Sequence, residues 1–348
     1  MGRLLLRHLG QTLLGTWLLA SAVFLLSRTD SEQAMRQALP STELLTPIAP
    51  AADAATTRAA TRHRLGLDQP LFYMGRAATG GWQWHGWHNQ YHQWLRALGH
   101  GSLGTSFRTG EPVTQRLARA LAFTLPLTAT AAVLAVAAAL MLAVWMAAAP
   151  RWQPLLRAAL AGLQSLPLFV IALALLLLLA NPEVLDWFPV NDLAPVSAAV
   201  EFLPTFLLHA LPRLVLPVAA LVFSALPELT LQLETALAHE LQQPYILTAK
   251  AKGLCPWAVV RRHALRNALL PTLAQLAELL PAMVAGAVVV EVVLALPGTG
   301  RLLAEAAATR DYPVLVGGVL LVAAARLASL LLADLGYSWA DPRIRWQA

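Results

Sequence analysis

The run from Ala120 to Pro150, ALAFTLPLTATAAVLAVAAALMLAVWMAAAP, contains no charged side chain. About 20 mostly apolar residues suffice for a helix to cross the ~30 Å hydrocarbon core of a bilayer. A stretch this long decides for a chain that lives in lipid. Leu9–Ser27 and Ala158–Pro182 are likewise free of charge. Three further stretches carry isolated charges: Leu207–Leu229 (Arg213 and Glu228), Leu270–Leu296 (Glu278 and Glu291) and Pro313–Leu335 (Arg326 and Asp334). Core helices of a soluble protein would look similar, but the spacing of these stretches beside three uncharged ones favours spans. The expectation is an all-α polytopic membrane protein with six transmembrane helices.

The composition agrees. Of 348 residues, 57% are hydrophobic and 13% charged, with a mean hydropathy of +0.58. Soluble domains carry about 25% charged residues, so a water-facing surface of this size lacks the side chains to cover it. Cys255 is the single cysteine, which excludes a disulfide-stapled scaffold. The formal charge of +6 would suit nucleic acid, but the placement of the charges points to a membrane topology and no nucleic-acid partner.

With the N-terminus inside, the inner segments hold Arg3, Arg7, Arg151, Arg157, Lys250, Lys252, Arg261, Arg262, Arg266, Arg343 and Arg345, whereas the short outer loops hold only Arg301 and Arg310. This bias fits the positive-inside rule and places both termini in the cytoplasm. Ten arginines from Arg28 to Arg119 fall on the outer side, in a segment long enough to translocate regardless of charge. The chain thus divides into a first helix (1–27), a long extracytoplasmic loop region (28–116) and a five-helix core (117–348) with a loop at 234–270. A cleaved signal peptide is the competing reading of the first helix, with Ala20-Ser21-Ala22 as its processing site. The apolar stretch before Arg28 exceeds the ~7–15 residues usual for such peptides and favours a retained helix.

Within the outer segment, Thr29–Thr61 is rich in Ala, Thr and Pro and shows little periodicity. Trp84, Trp87, Tyr91, Trp94, Leu95 and Leu98 then recur at helical spacing and predict one amphipathic helix lying in the headgroup layer. On its adjacent face, His85, His88 and His92 are spaced to converge on Zn²⁺ or Ni²⁺, with His63 or His100 as a fourth ligand. No carboxylate or cysteine supports them, so solvated polar-face histidines are the plainer reading and no metal is expected.

Between the fourth and fifth stretches lies ETALAHELQQPYILTAKAKGLCPWAVVRRHALRNALLP, Glu234 to Pro271. Good helix formers run up to Gly253, which can adopt φ > 0 and end a helix; Pro256 stands where a second, basic helix over Trp257–Leu270 can begin. Two short helices meeting at a glycine on the inner face have the form of a docking element. A basic loop attracted to anionic lipid is the alternative.

These residues carry a resemblance. Leu247-Thr248-Ala249, three residues, then Gly253 resembles the EAA-x3-G loop of ABC importer permeases, with Leu270-Pro271 as its closing pair. Over nearly its full length the chain is similar to the first permease subunit of the dipeptide, oligopeptide and nickel importers. The likeness rests on Leu65–Pro70, Gly101–Phe107, Tyr245–Leu254, Arg262–Leu269, Pro297–Arg301, Arg310–Pro313 and Asp341–Arg345, in that order. The resemblance implies a type I ABC importer permease fold in a bacterial inner membrane. It also implies a coupling helix formed by Leu247, Thr248, Ala249, Lys250, Ala251, Lys252, Gly253 and Leu254 and seated in a cytoplasmic ATPase subunit. The implied partners are two such ATPases, which use the ATP and magnesium, a second homologous permease forming a heterodimer, and an extracytoplasmic solute-binding protein. This chain would bind no cofactor and catalyse nothing. Its sequence agrees: a Walker A loop needs Gly-Lys-Ser/Thr, and its two lysines, Lys250 and Lys252, precede Ala251 and Gly253. Peptides are the expected cargo, with nickel or a metal–metallophore chelate as the alternative.

Some positions depart from the pattern. Leu231-Gln232-Leu233-Glu234 replaces a usually basic run, Ser102 stands where an aspartate is common, and Leu39-Pro40-Ser41 is the nearest remnant of a proline-glycine-aspartate turn. The Trp/His segment looks inserted. Arg326, near mid-depth of the sixth stretch, is a candidate pore charge for an anionic solute, Glu228 or Glu278; a structural ion pair or snorkelling beside Asp334 is the competing role. Glu291 matches a glutamate of the family and is a candidate for the outer gate or the receptor contact. A secondary transporter should show inverted repeats and broken helices around a midplane site, which are not evident. An intramembrane protease needs a serine motif and a membrane histidine, and only His209, near a span end, offers the latter.

Overall fold

The computed structural model describes residues 2–29, 68–76, 81–185, 187–188 and 203–340. Several sequence readings lie outside these residues: the 30–61 stretch, His63, the start of the 65–70 motif, most of the 181–204 loop and the motif at 341–345. The described elements are helices α1 (Gly2–Thr29), α2 (Gln90–Gly99), α3 (Val113–Ala148), α4 (Gln153–Gln164), α5 (Leu168–Leu179), α6 (Leu203–Glu240), α7 (Pro244–Ala251), α8 (Pro256–Val259), α9 (Leu265–Val293), α10 (Thr299–Ala308) and α11 (Tyr312–Ala340). A π-helical turn over Val260–Ala264 joins α8 to α9, and a hairpin pairs β1 (Met74–Arg76) with β2 (Trp82–Trp84).

Among the described residues, Val113–Ala148 and Arg213–Glu240 are each long and apolar enough to cross a bilayer. Shorter apolar helical stretches occupy Leu13–Leu26, Pro281–Val293 and Tyr312–Ala328. The 158–182 stretch, expected as one span, is instead α4 and α5 meeting at 98°. The cause is local. Pro167 is extended (φ −60°, ψ 144°), it lacks the N–H an unbroken helix would need, and its ring pushes the preceding residue out of the helical region.

The chain forms two compact units, one of residues 1–5, 122–301 and 324–348 and the other of 6–121 and 302–323. In the first, α6 packs against α4, α5 and α9, and α5 packs against α9. Its main core joins Leu127, Ala131, Ala135 and Ala139 of α3, Ala172 of α5, Leu216, Ala220 and Leu221 of α6, and Leu279, Met283 and Val290 of α9. Lipid tails are as apolar as leucine, so close approach over small residues such as these alanines drives such packing. The hydroxyls of Thr128, Thr230 and Thr272, all buried, donate to the carbonyls of Thr124, Leu226 and Ala268 one turn back. Each is thereby satisfied without leaving its helix.

In the second unit, α2 starts at Asn89, whose buried side chain accepts the His92 N–H (2.7 Å) and donates to the Gly86 carbonyl (2.8 Å). Its next N–H groups, of Gln90 and Tyr91, donate to the Pro70 and Leu71 carbonyls. Tyr91, Trp94 and Leu95 pack with Ala20, Phe24, Leu71, Tyr73 and Val316. A second cluster joins Val113 and Leu117 to Ala306 and Val314.

This arrangement corrects the expected Trp/His helix. The helix starts only at Gln90; Trp84 belongs to β2 and Trp87 to a turn. Asparagine is a strong N-cap and Gly86, at φ +66°, turns the chain just before it. The expected lipid-facing residues Tyr91 and Trp94 instead pack against protein, Trp94 stacking on Phe24 with ring centroids 4.8 Å apart.

Candidate functional site

The loop from Glu234 to Pro271 is more helical than its sequence suggested. Residues up to Glu240 belong to the long α6, and from Pro256 onward the helix runs through the π turn into α9. Between them, α7 begins with Pro244 at its first position, where the missing N–H costs nothing. It ends at Lys252, followed by Gly253 at φ +77°, the left-handed cap that glycine adopts without strain. The Gly253 N–H closes the turn on the Lys250 carbonyl (2.9 Å). Extended Cys255 (φ −65°, ψ 154°) then hands over to Pro256, which starts α8 as expected.

Two faces result. Ile246 and Ala249 are buried among Ala143, Val144, Leu233, Leu237, Val259, Val260, Ala264 and Ala268. Leu247, Thr248, Lys250, Ala251, Lys252 and Gly253 are exposed, Leu247 at 67% of its surface, and Leu254 is half-buried. Arg261, Arg262, His263 and Arg266 are also exposed, on the outside of the π turn and the start of α9. The loop therefore presents an apolar and basic ridge on a fixed base.

Polar ties hold the base. The Tyr245 hydroxyl donates to Glu240 Oε2 (2.6 Å) and accepts from Asn267 Nδ2 (3.1 Å), linking α7 to the end of α6 and the start of α9. Partial burial, then the Glu240 carboxylate, push the phenol above its usual range, while Asn267 opposes them. Glu234, buried at 2% exposure, accepts from Arg157 Nε (3.1 Å) and Nη2 (2.7 and 2.8 Å) and from Gln153 Nε2.

Glu291 lies at the other end of α9, about 40 Å along the axis at 1.5 Å per residue. It is fully buried. One oxygen accepts from Thr124 Oγ1 (2.6 Å) and the other from the N–H groups of Gly300 (2.6 Å) and Arg301 (3.3 Å). Thr124 Oγ1 in turn accepts from the Thr299 N–H (2.8 Å) and hydroxyl (3.0 Å). The Pro297–Arg301 motif thus wraps a carboxylate: a Cβ on Gly298 would fall 2.1 Å from it. Glu228 on α6 and Arg326 on α11 are exposed.

In the other unit, two motifs read separately in the sequence meet. Asp311, of Arg310–Pro313, accepts from Ser106 Oγ, from the Phe107 N–H (3.0 Å) and from Arg116 Nη1 (3.3 Å). Ser102 is exposed in the same loop. His85 lies against Gly75 and His92 Nδ1 meets the Tyr73 hydroxyl (3.1 Å). Among the described residues, no group of three or more His, Cys, Asp or Glu side chains is placed to hold a metal ion, so His85, His88 and His92 do not converge.

Sequence reading missed Thr124 altogether and treated Glu234 only as a departure from a basic run. It quoted the 297–301 and 310–313 motifs without the side chains they enclose. An uncharged threonine in an apolar helix gives no signal until its neighbour across the core is known.

Comparison with known proteins agrees with this architecture. The profile of the family described as "Binding-protein-dependent transport system inner membrane component" matches residues 135–346. The chain is 33% identical over 301 residues to the probable D,D-dipeptide transport system permease protein DdpB of Escherichia coli, covering 81% of this chain and 83% of that one. It is 33% identical over 302 residues to the di/tripeptide transport system permease protein DppB of Pseudomonas aeruginosa, covering 82% and 84%. To the dipeptide transport system permease protein DppB of Bacillus subtilis it is 38% identical over 133 residues, covering 38% and 43%. Apolar helices packed over alanines, a ridged loop between two of them and these matches converge: the chain belongs to the binding-protein-dependent transport system inner membrane components and is a membrane-embedded permease.

Proposed function

We propose that this chain is the pore-forming permease subunit of an ATP-driven peptide importer, with Leu247–Leu254 as the element through which partner ATPases drive it. The observation that carries the coupling role is the two-faced α7. Ile246 and Ala249 fix it to the helical bundle, while Leu247, Thr248, Lys250 and Ala251 face outward. An exposed leucine on a short, rigidly seated helix suits insertion into a groove of another protein. The chain itself contributes no catalytic group; two ATPase subunits would use ATP and magnesium.

In this reading the chain spans the inner membrane six times with both termini in the cytoplasm. We assign the six spans to the two long helices, the bent α4–α5 pair and the helices that hold the three shorter apolar stretches. The distribution of Arg and Lys supports the orientation. The region between the first and second spans lies outside the cytoplasm and meets a solute-binding protein, and a homologous permease completes the pore. The names of the relatives support peptides over nickel or a metallophore chelate.

The test is co-expression with the candidate ATPase, second permease and binding protein, followed by uptake of labelled di- and tripeptides into proteoliposomes. Peptide uptake that requires ATP and is lost in Leu247→Asp, with the ATPase no longer co-purifying, is the expected result. Uptake driven by an ion gradient without ATPase would overturn the reading.

A further inference from the structure

We infer that the β1–β2 hairpin is a membrane-interface anchor, whose Met74/Trp82/Trp84 face sits in the lipid headgroup layer. In an antiparallel pair, directly opposed residues and those two apart share one face. Met74 opposes Trp84, and Trp82 is two residues from Trp84, so all three project from the same side. They are exposed at 49%, 77% and 62%, and Trp87 in the following turn at 66%. On the opposite side the His85 ring lies against Gly75, while Gln83 is exposed. In the same register Arg76 opposes Trp82, so the Met74/Trp82/Trp84 face combines apolar and aromatic positions with one basic one.

The position of this face names its occupant. The aromatic cluster that carries the hairpin is fixed to α1 near the end of its apolar run. Tyr91 Oη lies 2.8 Å from Ser21 Oγ, Trp94 stacks on Phe24, and Tyr73 of the same cluster stacks on Trp84. Around this level α1 presents Leu18, Leu19 and Leu26, each more than half exposed, an apolar surface that only lipid or another span can cover. The hairpin is therefore tethered where the hydrocarbon ends and the headgroups begin. Tryptophan collects at that depth because its ring is apolar while its N–H needs a polar partner. A basic position beside these rings suits the same depth, since arginine collects at membrane interfaces with its stem on apolar surface and its charge in the polar layer. The inference rests on membrane embedding, not on the proposed cargo or ATPase coupling, and is tested apart from them.

The experiment is depth measurement by spin labelling of the full chain in lipid nanodiscs, in a Cys255→Ser background. Trp82→Cys, Trp84→Cys and, as the opposite-face reference, Gln83→Cys are labelled with a nitroxide. Collision rates are then measured with oxygen, which partitions into lipid, and with a water-soluble nickel chelate. A severalfold higher oxygen-to-nickel ratio at 82 and 84 than at 83 is expected. Equal ratios at the three sites would overturn the inference. So would labels at 82 and 84 that are water-exposed alone and become protected only when a solute-binding protein is added, which would make the face a receptor site. Should replacement of a tryptophan prevent insertion, the unsubstituted chain is compared with the Trp82→Phe/Trp84→Phe/Trp87→Phe variant in lipid brominated near the headgroup. The tryptophan emission that distinguishes the two must be quenched; unquenched emission would likewise overturn it.

Discussion

Arg157 holds Glu234 with three hydrogen bonds of 2.7–3.1 Å, across from α4 to α6 and six residues before α6 ends. The two partners differ in environment: the guanidinium is half exposed, whereas the carboxylate is buried. Removal of the arginine strands a charge in the interior, and removal of both partners does not. Arg157→Ala is expected to destabilise the purified permease by about 1–3 kcal/mol, and Arg157→Ala/Glu234→Leu by clearly less, as read by thermal unfolding in detergent. Equal losses would show that the pair contributes no more than surface contacts do.

Gly253→Ala tests the cap of α7 on its own. A Cβ there meets nothing within 4 Å, so the expected penalty is conformational, about 1 kcal/mol. Gly253→Asn should cost less, since asparagine tolerates the left-handed region. Folding and insertion should survive in both, with ATPase coupling reduced in proportion to the cap; unaltered coupling in Gly253→Ala would argue against a fixed α7 geometry.

The Glu291 cradle predicts an unusual ranking. Glu291→Gln keeps size and shape but must turn an amide donor toward either the Thr124 hydroxyl or the Gly300 N–H, which already donate. It is expected to cost about 1–3 kcal/mol. Thr124→Val should cost a similar amount by removing one donor and one acceptor. Gly300→Ala should be worse than Gly253→Ala, because its Cβ would lie 2.2 Å from the Val288 backbone. Expression level and thermal stability in detergent check the order.

Tyr245 supplies a pH test. Its phenol is raised above the ordinary value of 10.0, first by burial and then by Glu240. A raised folded-state value means stability that is complete below the unfolded value and lost as pH rises through the folded one. Wild type should therefore lose thermal stability more steeply than Tyr245→Phe above about pH 10. Parallel curves would remove the phenol from the account.

Arg326→Leu addresses the pore. The residue is exposed on α11, in a stretch where an arginine costs about 2.5–3.5 kcal/mol to insert. If it lines the translocation path, the leucine variant assembles normally yet transports more slowly in proteoliposomes. Wild-type transport would assign the charge to packing or to the membrane surface.

Much of this fold was legible because bilayer physics constrains sequence so strongly. The uncharged run at 120–150 became the body of α3, and Gly253 and Pro256 marked a stop and a start that the backbone obeys. Three features were hidden. The break at Pro167 was invisible to a count of apolar residues, since a bent pair and a straight span have the same composition. The Trp/His helix misled because 3-and-4 spacing ignores a glycine turn and an asparagine cap placed midway. The enclosure of Glu291 depends on Thr124, 167 positions away in the chain, and no local pattern reports a partner at that distance.

From Pro256 to Val293 the helix runs on without a gap, through a π turn and past Pro271 and Pro281. The candidate docking ridge therefore abuts one end of a rod some 55 Å long, and the Glu291 knot closes the other. Pro271 and Pro281 each remove one rung from its hydrogen-bond ladder. Ridge and knot are thus the two ends of one continuous helix, and a substitution at either end acts on the same element.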